Sequence, residues 1–188
     1  MLRRISHFTT LIMTFAEGLL TLNASKANRL KMLNCVKQNP KLLPQLFEFA
    51  HNSKAKREHI YAAWVWELYI LEDVHQLLPY LNNSLKKLPK INSSSMRRSH
   101  SKILWHFVKA TQNSNPIENK TKEKIRIIAL DWIMTETKTA PLSFCIKILN
   151  QFKAEFPSLK ADLKHLLKDS HRIFPKGIHS VMRSVFDD

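Results

Sequence analysis

Apolar residues recur at helical spacing along most of the chain, and part of this pattern repeats after 41 residues. The repeat is clearest in the segment 57–71, REHIYAAWVWELYIL, which carries two tryptophans. From Trp64, equal steps lead to Trp105 and then to Ile146. The same register aligns Ala63 with Leu104 and Cys145, Trp66 with Phe107 and Ile148, and Arg57 with Arg98. A period of about 40 residues is typical of stacked helical pairs, so the pattern predicts an all-α fold.

Polar or proline-containing connectors separate the predicted helices. The first apolar run, 15–36, is expected to end at Asn39-Pro40, because the residue before a proline disfavours helix. A short helix over 42–50 follows, and the polar segments 91–95 and 111–116 are predicted connectors. Further helices are predicted around these apolar sets: Leu77, Leu78, Leu81, Leu85 and Leu88; Ile125, Ile128, Ala129, Trp132 and Ile133; Phe144, Cys145, Ile148, Leu149 and Phe152; Leu159, Leu163, Leu166 and Leu167; and, at the end, Val181 and Phe186.

The two tryptophans of the repeat cannot share one helix face, since two positions are separated by about 200°. Trp64 is assigned to the core together with Ile60, Ala63 and Leu68, and its equivalent Trp105 is assigned likewise. Trp66 is then expected to lie against a neighbouring repeat or at the surface, and its equivalents Phe107 and Ile148 favour the first.

Composition favours one helical domain. The chain has only two glycines, which leaves little material for hairpin turns or phosphate-binding loops. We predict a single domain over residues 13–188, with residues 1–12 as a possible N-terminal extension. No apolar run approaches the roughly 18 residues of a membrane span. Cys35 and Cys145 lie within apolar helical patterns, so buried free thiols and a cytoplasmic location are expected.

Several segments resemble small bacterial HEAT-like or armadillo-type helical-repeat proteins. The matching motifs are Ala62-Ala63-Trp64, Leu77-Leu78-Pro79-Tyr80-Leu81, Pro157-Ser158-Leu159-Lys160 with Leu163, and Met182-Arg183-Val185. They extend over most of residues 40–188 and concern packing. The middle repeat departs from the pattern with Ser99 and Ser101, where small apolar residues are expected. The resemblance implies a right-handed α-α superhelix of about four helix pairs with a C-terminal cap helix.

Charge is the strongest signal that packing does not explain. The formal net charge is +15 at pH 7, which favours anionic partners. The segment 86–126, here called the basic segment, holds eleven Lys and Arg against two Glu, a surplus of nine. Its candidate phosphate-binding residues are Lys86, Lys87, Arg97, Arg98, Lys102, Lys109, Lys120, Lys122, Lys124 and Arg126. The alternative is that these charges solvate exposed helix faces. Trp105 and Trp132 could stack on bases, but both fall on the apolar stripe and are assigned to the core.

Motifs for catalysis are weak. The histidines are scattered, without HExxH or another metal-ligand spacing, so neither metal nor cofactor is expected. A branch of HEAT-like proteins excises alkylated DNA bases, and Asp131 beside Trp132 supplies similar residue types, although neighbouring positions point about 100° apart. The segment 93–98, SSSMRR, resembles the serine-rich loop of adenylosuccinate lyases without the glycine, proline and lysine that follow there. The leading hypothesis is a non-enzymatic scaffold that binds a protein partner through a concave face, with nucleic-acid binding through the basic segment as the alternative.

Overall fold

A computed structural model describes residues 15–112 and 117–186, and this part contains helices without any β-strand. The extension predicted at residues 1–12 lies outside the described residues, as does 113–116 within the predicted polar connector. The first helix, α1, is described over residues 15–20. The other α-helices are α2 (Lys26–Gln38), α3 (Leu43–Ala50), α4 (Arg57–Glu72), α5 (Leu78–Lys87), α6 (Ser94–Thr111), α7 (Asn119–Thr135), α8 (Thr139–Phe152), α9 (Leu159–Lys164) and α10 (His179–Phe186).

Side-chain caps and prolines set several helix ends. Asn39 terminates α2 directly before Pro40, as the sequence predicts. Asp73 follows α4 and accepts a hydrogen bond from the His75 backbone N–H at 3.0 Å, which starts a short 3₁₀ turn before α5. Pro79 lies in the first turn of α5, where its missing N–H breaks no helical hydrogen bond.

The apolar run 15–36 is interrupted, contrary to the prediction of one helical stretch. The chain leaves the helix after residue 20 and starts again at Lys26. Ser25 caps the new helix by accepting a hydrogen bond from the Asn28 N–H at 3.3 Å. Its own N–H donates to the side chain of Asn23. These local side-chain bonds compete with the helix and stop it, which hydrophobic spacing alone does not reveal.

Even-numbered helices pack side by side in chain order. Helix α4 packs against α2 and α6, and α6 packs against α8. The odd-numbered helices α3 and α7 pack on α4 and α8, respectively. The buried apolar side chains form one contiguous core, from Phe15 in α1 to Val185 in α10.

Of the repeated tryptophans, Trp66 is buried more deeply than Trp64 and Trp105. Trp66 is fully buried and contacts the Phe47 and Tyr80 rings, whereas Trp64 and Trp105 are only partly buried. The prediction that Trp66 packs against neighbouring helices is therefore confirmed, whereas Trp64 and Trp105, predicted to be core residues, are only partly buried and pack against the edge of the core. The apolar stripe is wider than one face, so its edges are partly exposed in the folded chain.

The two thiols differ in environment. Cys145 is buried as predicted, and burial raises the pKa of its thiol. Cys35 is exposed on α2, so the prediction that it is buried is wrong. In the described ranges, no helix is long and apolar enough to cross a membrane.

Candidate functional site on helices α6 and α8

The Arg97 side chain is buried, whereas a phosphate-binding residue is expected to face solvent. Its side chain is 7% exposed, and its Nη1 lies 3.8 Å from Oε2 of Glu136, which is 2% exposed. Its Nε donates to the Ile91 carbonyl at 2.7 Å and its Nη1 to Thr135 Oγ1 at 3.1 Å. The guanidinium also lies over the Trp132 ring, which is buried as predicted. Arg97 therefore holds α6 against the end of α7, and its inclusion among the candidate binding residues is corrected.

A second buried carboxylate, Glu67 of α4, organises the neighbouring turn of α6. It is 3% exposed and accepts hydrogen bonds from Ser99 Oγ at 2.7 Å and Lys102 Nζ at 2.8 Å. Arg98 Nη1 donates to the same carboxylate at 3.3 Å. Ser99 thus departs from the apolar repeat because it satisfies a buried anion. Two cations share one carboxylate, so a positive charge remains in excess at this junction.

Other members of the basic segment also form ion pairs. Lys87 pairs with Glu48 at 2.9 Å, and Lys122 pairs with Glu155. Arg126 binds Glu123 on its own helix through two hydrogen bonds of 2.7 Å, which lower the pKa of that carboxyl. Four carboxylates from outside the segment thus neutralise part of its charge: Glu48, Glu67, Glu136 and Glu155.

The remaining candidates lie on three helices. Lys86 is on α5, and Lys120 and Lys124 are on α7, whereas Lys109 is on α6. Between described residues, no ion pair involves any of these four lysines. The basic segment is therefore distributed over several helices, of which only α6 belongs to the series of even-numbered helices that pack side by side.

Three lysines of α6 and α8 influence His106. Lys102 precedes it by four residues and Lys109 follows it by three, so both lie within about one helical turn of it on α6, while Lys147 is on α8, which packs against α6. Partial burial lowers the pKa of His106, and the charges of Lys102, Lys109 and Lys147 lower it further, while Glu67 acts in the opposite direction. Lys147 lies outside the basic segment, on α8. Its association with the lysines of α6 depends on the packing of α8 against α6, which the sequence does not reveal.

Trp105 lies within the same group of cations. The series Arg98, Lys102, Trp105 and Lys109 has spacings of four, three and four residues, so these side chains follow one line along α6. All four are at least partly exposed. We call the surface formed by Arg98, Lys102, Trp105, His106, Lys109 and Lys147 the α6–α8 face.

Two buried histidines form a separate cluster that the sequence did not predict. The rings of His51 and His100 lie 4.4 Å apart between centroids, and each contacts a carbonyl oxygen at 2.8 Å, of Phe47 and Ala50, respectively. Burial lowers both pKa values, that of His100 to about 4. Since a carbonyl only accepts, each neutral ring donates one N–H. The His100 bond ties α6 to the end of α3, which is a packing role.

No protein-family model, curated protein or solved structure matches the chain. In the part that the structure describes, no group of three His, Cys, Asp or Glu side chains could hold a metal ion.

Proposed function

We propose that the chain is a HEAT-like or armadillo-type α-α superhelix that binds nucleic acid through the α6–α8 face. The main support is the set of cations on two packed helices: Lys102 and Lys109 lie within about one turn of His106 on α6, and Lys147 lies on α8. The nearby acid, Glu67, is buried and is shared by Arg98 and Lys102, so it leaves an excess of positive charge. Closely spaced ammonium groups without matching surface carboxylates attract phosphates and release counterions when they bind them.

The superhelix is supported by the packing order. Even-numbered helices contact one another in sequence from α2 to α8, and α3 and α7 pack on α4 and α8, respectively. Aromatic residues of the even-numbered helices, such as Trp64, Trp105 and Phe144, are partly buried, whereas Asn82 and Lys86 of α5 are exposed. Crowding of this kind is expected on the concave side of stacked repeats, which supports the assignment of the α6–α8 face to a groove.

Binding to phosphates is favoured by the local charge balance. Within the described ranges, neither Lys109 nor Lys147 forms an ion pair, and the Lys147 ammonium lies over the Phe144 ring, 5.7 Å from its centroid. Both ammonium groups can therefore approach an anion without breaking an ion pair. Lys86, Lys120 and Lys124 lie on the odd-numbered helices α5 and α7, and we attribute them to solvation of those helix surfaces.

Paired substitutions of equal charge test the proposal. Binding of fluorescein-labelled single-stranded and duplex DNA is measured by anisotropy between about 50 and 200 mM salt. We expect Lys109→Gln with Lys147→Gln to weaken binding and to reduce the slope of log K against log salt by roughly 1–2. The control combines Lys86→Gln and Lys120→Gln, which remove the same charge from α5 and α7 and should have a much smaller effect.

Two outcomes contradict the proposal. One is absence of binding to both forms of DNA at the lowest salt concentration. The other is equal loss in the two paired variants, which would mean that net charge and not the α6–α8 face determines binding. Polyglutamate is included as a competitor, because displacement of DNA by polyglutamate but not by free phosphate would favour an acidic protein instead. A protein partner on the concave face stays a prediction.

A further inference from the structure

We infer that the nucleic acid is single-stranded and that one of its bases stacks on the indole of Trp105. This inference rests on the proposed function, because it assumes that phosphates are held by the α6–α8 face. It adds a contact to the base itself, which charge alone cannot supply.

Trp105 is the tryptophan best placed for such a contact. Trp66 and Trp132 are buried. Trp64 is partly exposed, but the Arg29 guanidinium lies over its ring at 5.6 Å, and the Tyr61 ring lies 5.0 Å away between centroids. Within residues 15–112 and 117–186, no aromatic ring or cation covers Trp105.

Cations flank Trp105 along its helix. Lys102 precedes it by three residues and Lys109 follows it by four, so one lysine lies about one turn away on each side. The two lysine Cα positions are about 10 Å apart along the axis, from a rise of about 1.5 Å per residue. A strand that follows α6 could place one phosphate at Lys109, a second at the excess positive charge of Lys102 and Arg98, which share the Glu67 carboxylate, and one nucleotide over the ring between them. Lys147 and the excess charge at Glu67 extend the cationic surface to both neighbouring helices.

A single strand fits this arrangement better than a duplex. In a duplex, both faces of each base are covered by its neighbours, so a ring at the surface of a helix can reach only base edges. Unpaired bases expose their faces, and stacking on an aromatic side chain tolerates any base. The Trp105 indole lies between two lysines and is partly buried against the core. Because this packing already restricts the side chain, a base that stacks on it costs little additional side-chain entropy.

An abasic oligonucleotide separates stacking from charge. The full chain is titrated with labelled oligo-dT, with an oligo-deoxyribose phosphate of equal length that lacks bases, with oligo-rU and with duplex DNA. Stacking typically contributes a factor of about 5–100 per base, so we expect oligo-dT to bind at least about fivefold more tightly than the abasic strand and the duplex. Oligo-rU distinguishes RNA from DNA as the source of the same chemistry.

Substitutions assign the preference to one ring. Trp105→Leu should remove most of the preference for oligo-dT over the abasic strand, whereas Trp105→Phe, which keeps an aromatic face, should retain most of it. The matched control is Trp64→Leu, which alters the equivalent residue of the preceding repeat and should leave the preference unchanged. Circular dichroism checks the fold of each variant, and the comparison of the two oligonucleotides on the unmodified chain decides the inference even where a variant fails to fold.

The possible failures are distinct. Equal affinity for oligo-dT and the abasic strand, with binding still reduced by Lys109→Gln and Lys147→Gln, would overturn base stacking and leave the proposed function intact. A preference that survives Trp105→Leu would assign the contact elsewhere and overturn the role of Trp105. Absence of binding to every strand would overturn both proposals together.

Discussion

The buried ion pair between Arg97 and Glu136 allows the packing of α6 to be tested directly. We consider Arg97→Met, which keeps most of the apolar volume and removes the charge and all the donors. Glu136 Oε1 would keep three hydrogen bonds, from the Ser94 hydroxyl and the backbone N–H groups of Thr137 and Lys138. Its Oε2, which makes no hydrogen bond, would lose the cation at 3.8 Å.

The expected loss of stability is about 3–5 kcal/mol. Two charges 3.8 Å apart attract by about 4 kcal/mol at an effective dielectric constant of about 20. Removal of one partner from a buried pair generally costs about 3–5 kcal/mol, since the other charge stays buried without compensation. This range already includes the cost of losing the hydrogen bonds from Arg97 to Ile91 and Thr135, because the methionine side chain still shields these two acceptors from water. For a chain of this size, the loss corresponds to a Tm lower by about 6–20 °C.

Urea unfolding followed by far-UV circular dichroism measures the effect. Arg97→Met combined with Glu136→Gln should regain most of the loss, because the amide oxygen can replace Oε1 and no buried charge remains. Arg98→Met is the matched control: Arg98 is 39% exposed, and Glu67 keeps Lys102 and Ser99, so at most about 1 kcal/mol should be lost. If Arg97→Met unfolds within about 1 kcal/mol of the unmodified chain, or if the double variant is no more stable than the single one, the reasoning about a buried pair is refuted.

Three further predictions concern the core. The pKa of His100 is lowered to about 4 in the folded chain, so the unfolded chain binds a proton at higher pH than the folded chain does. The free energy of unfolding should therefore have its full value above about pH 6.5 and fall by about 3 kcal/mol towards pH 4. Urea titrations at each pH measure this loss, which His100→Gln should reduce. A thiol reagent should modify Cys35 in the native chain and Cys145 only after unfolding; rapid native modification of both would contradict the burial of Cys145. Leu77→Ala should cost about 2–5 kcal/mol and Leu78→Ala less than about 0.5 kcal/mol, because the side chains are 1% and 46% exposed, and equal costs would contradict this difference.

Local sequence signals predicted much of the secondary structure. Asn39-Pro40, Asp73 and the polar connector 111–116 mark helix limits through bonds within a few residues, so they could be read without the fold. Hydrophobic spacing does not indicate the break between α1 and α2, since it runs on across the break. Asn23 and Ser25 carry the local signal for it, because their side chains accept hydrogen bonds from nearby backbone N–H groups.

The candidate site was predicted only in part. The sequence singled out Lys102 and Lys109 by charge density but had no means to include Lys147, which joins them through the packing of α6 on α8. It also treated Arg97 as a surface residue. Glu136, its partner, lies 39 positions further along the chain and has no local pattern that points back to Arg97.

The sequence by itself determined that the described chain is helical and which positions are broadly apolar, because these properties depend on residues within a few turns. Tertiary structure decided which cations are neutralised, since the pairs of Glu67 with Arg98 and Lys102 join residues more than 30 positions apart. It also decided that Trp66 is buried and that Trp105 is partly exposed. The rotation of each helix against its neighbours sets which edge of a wide apolar stripe meets solvent, and that rotation arises only when the helices pack.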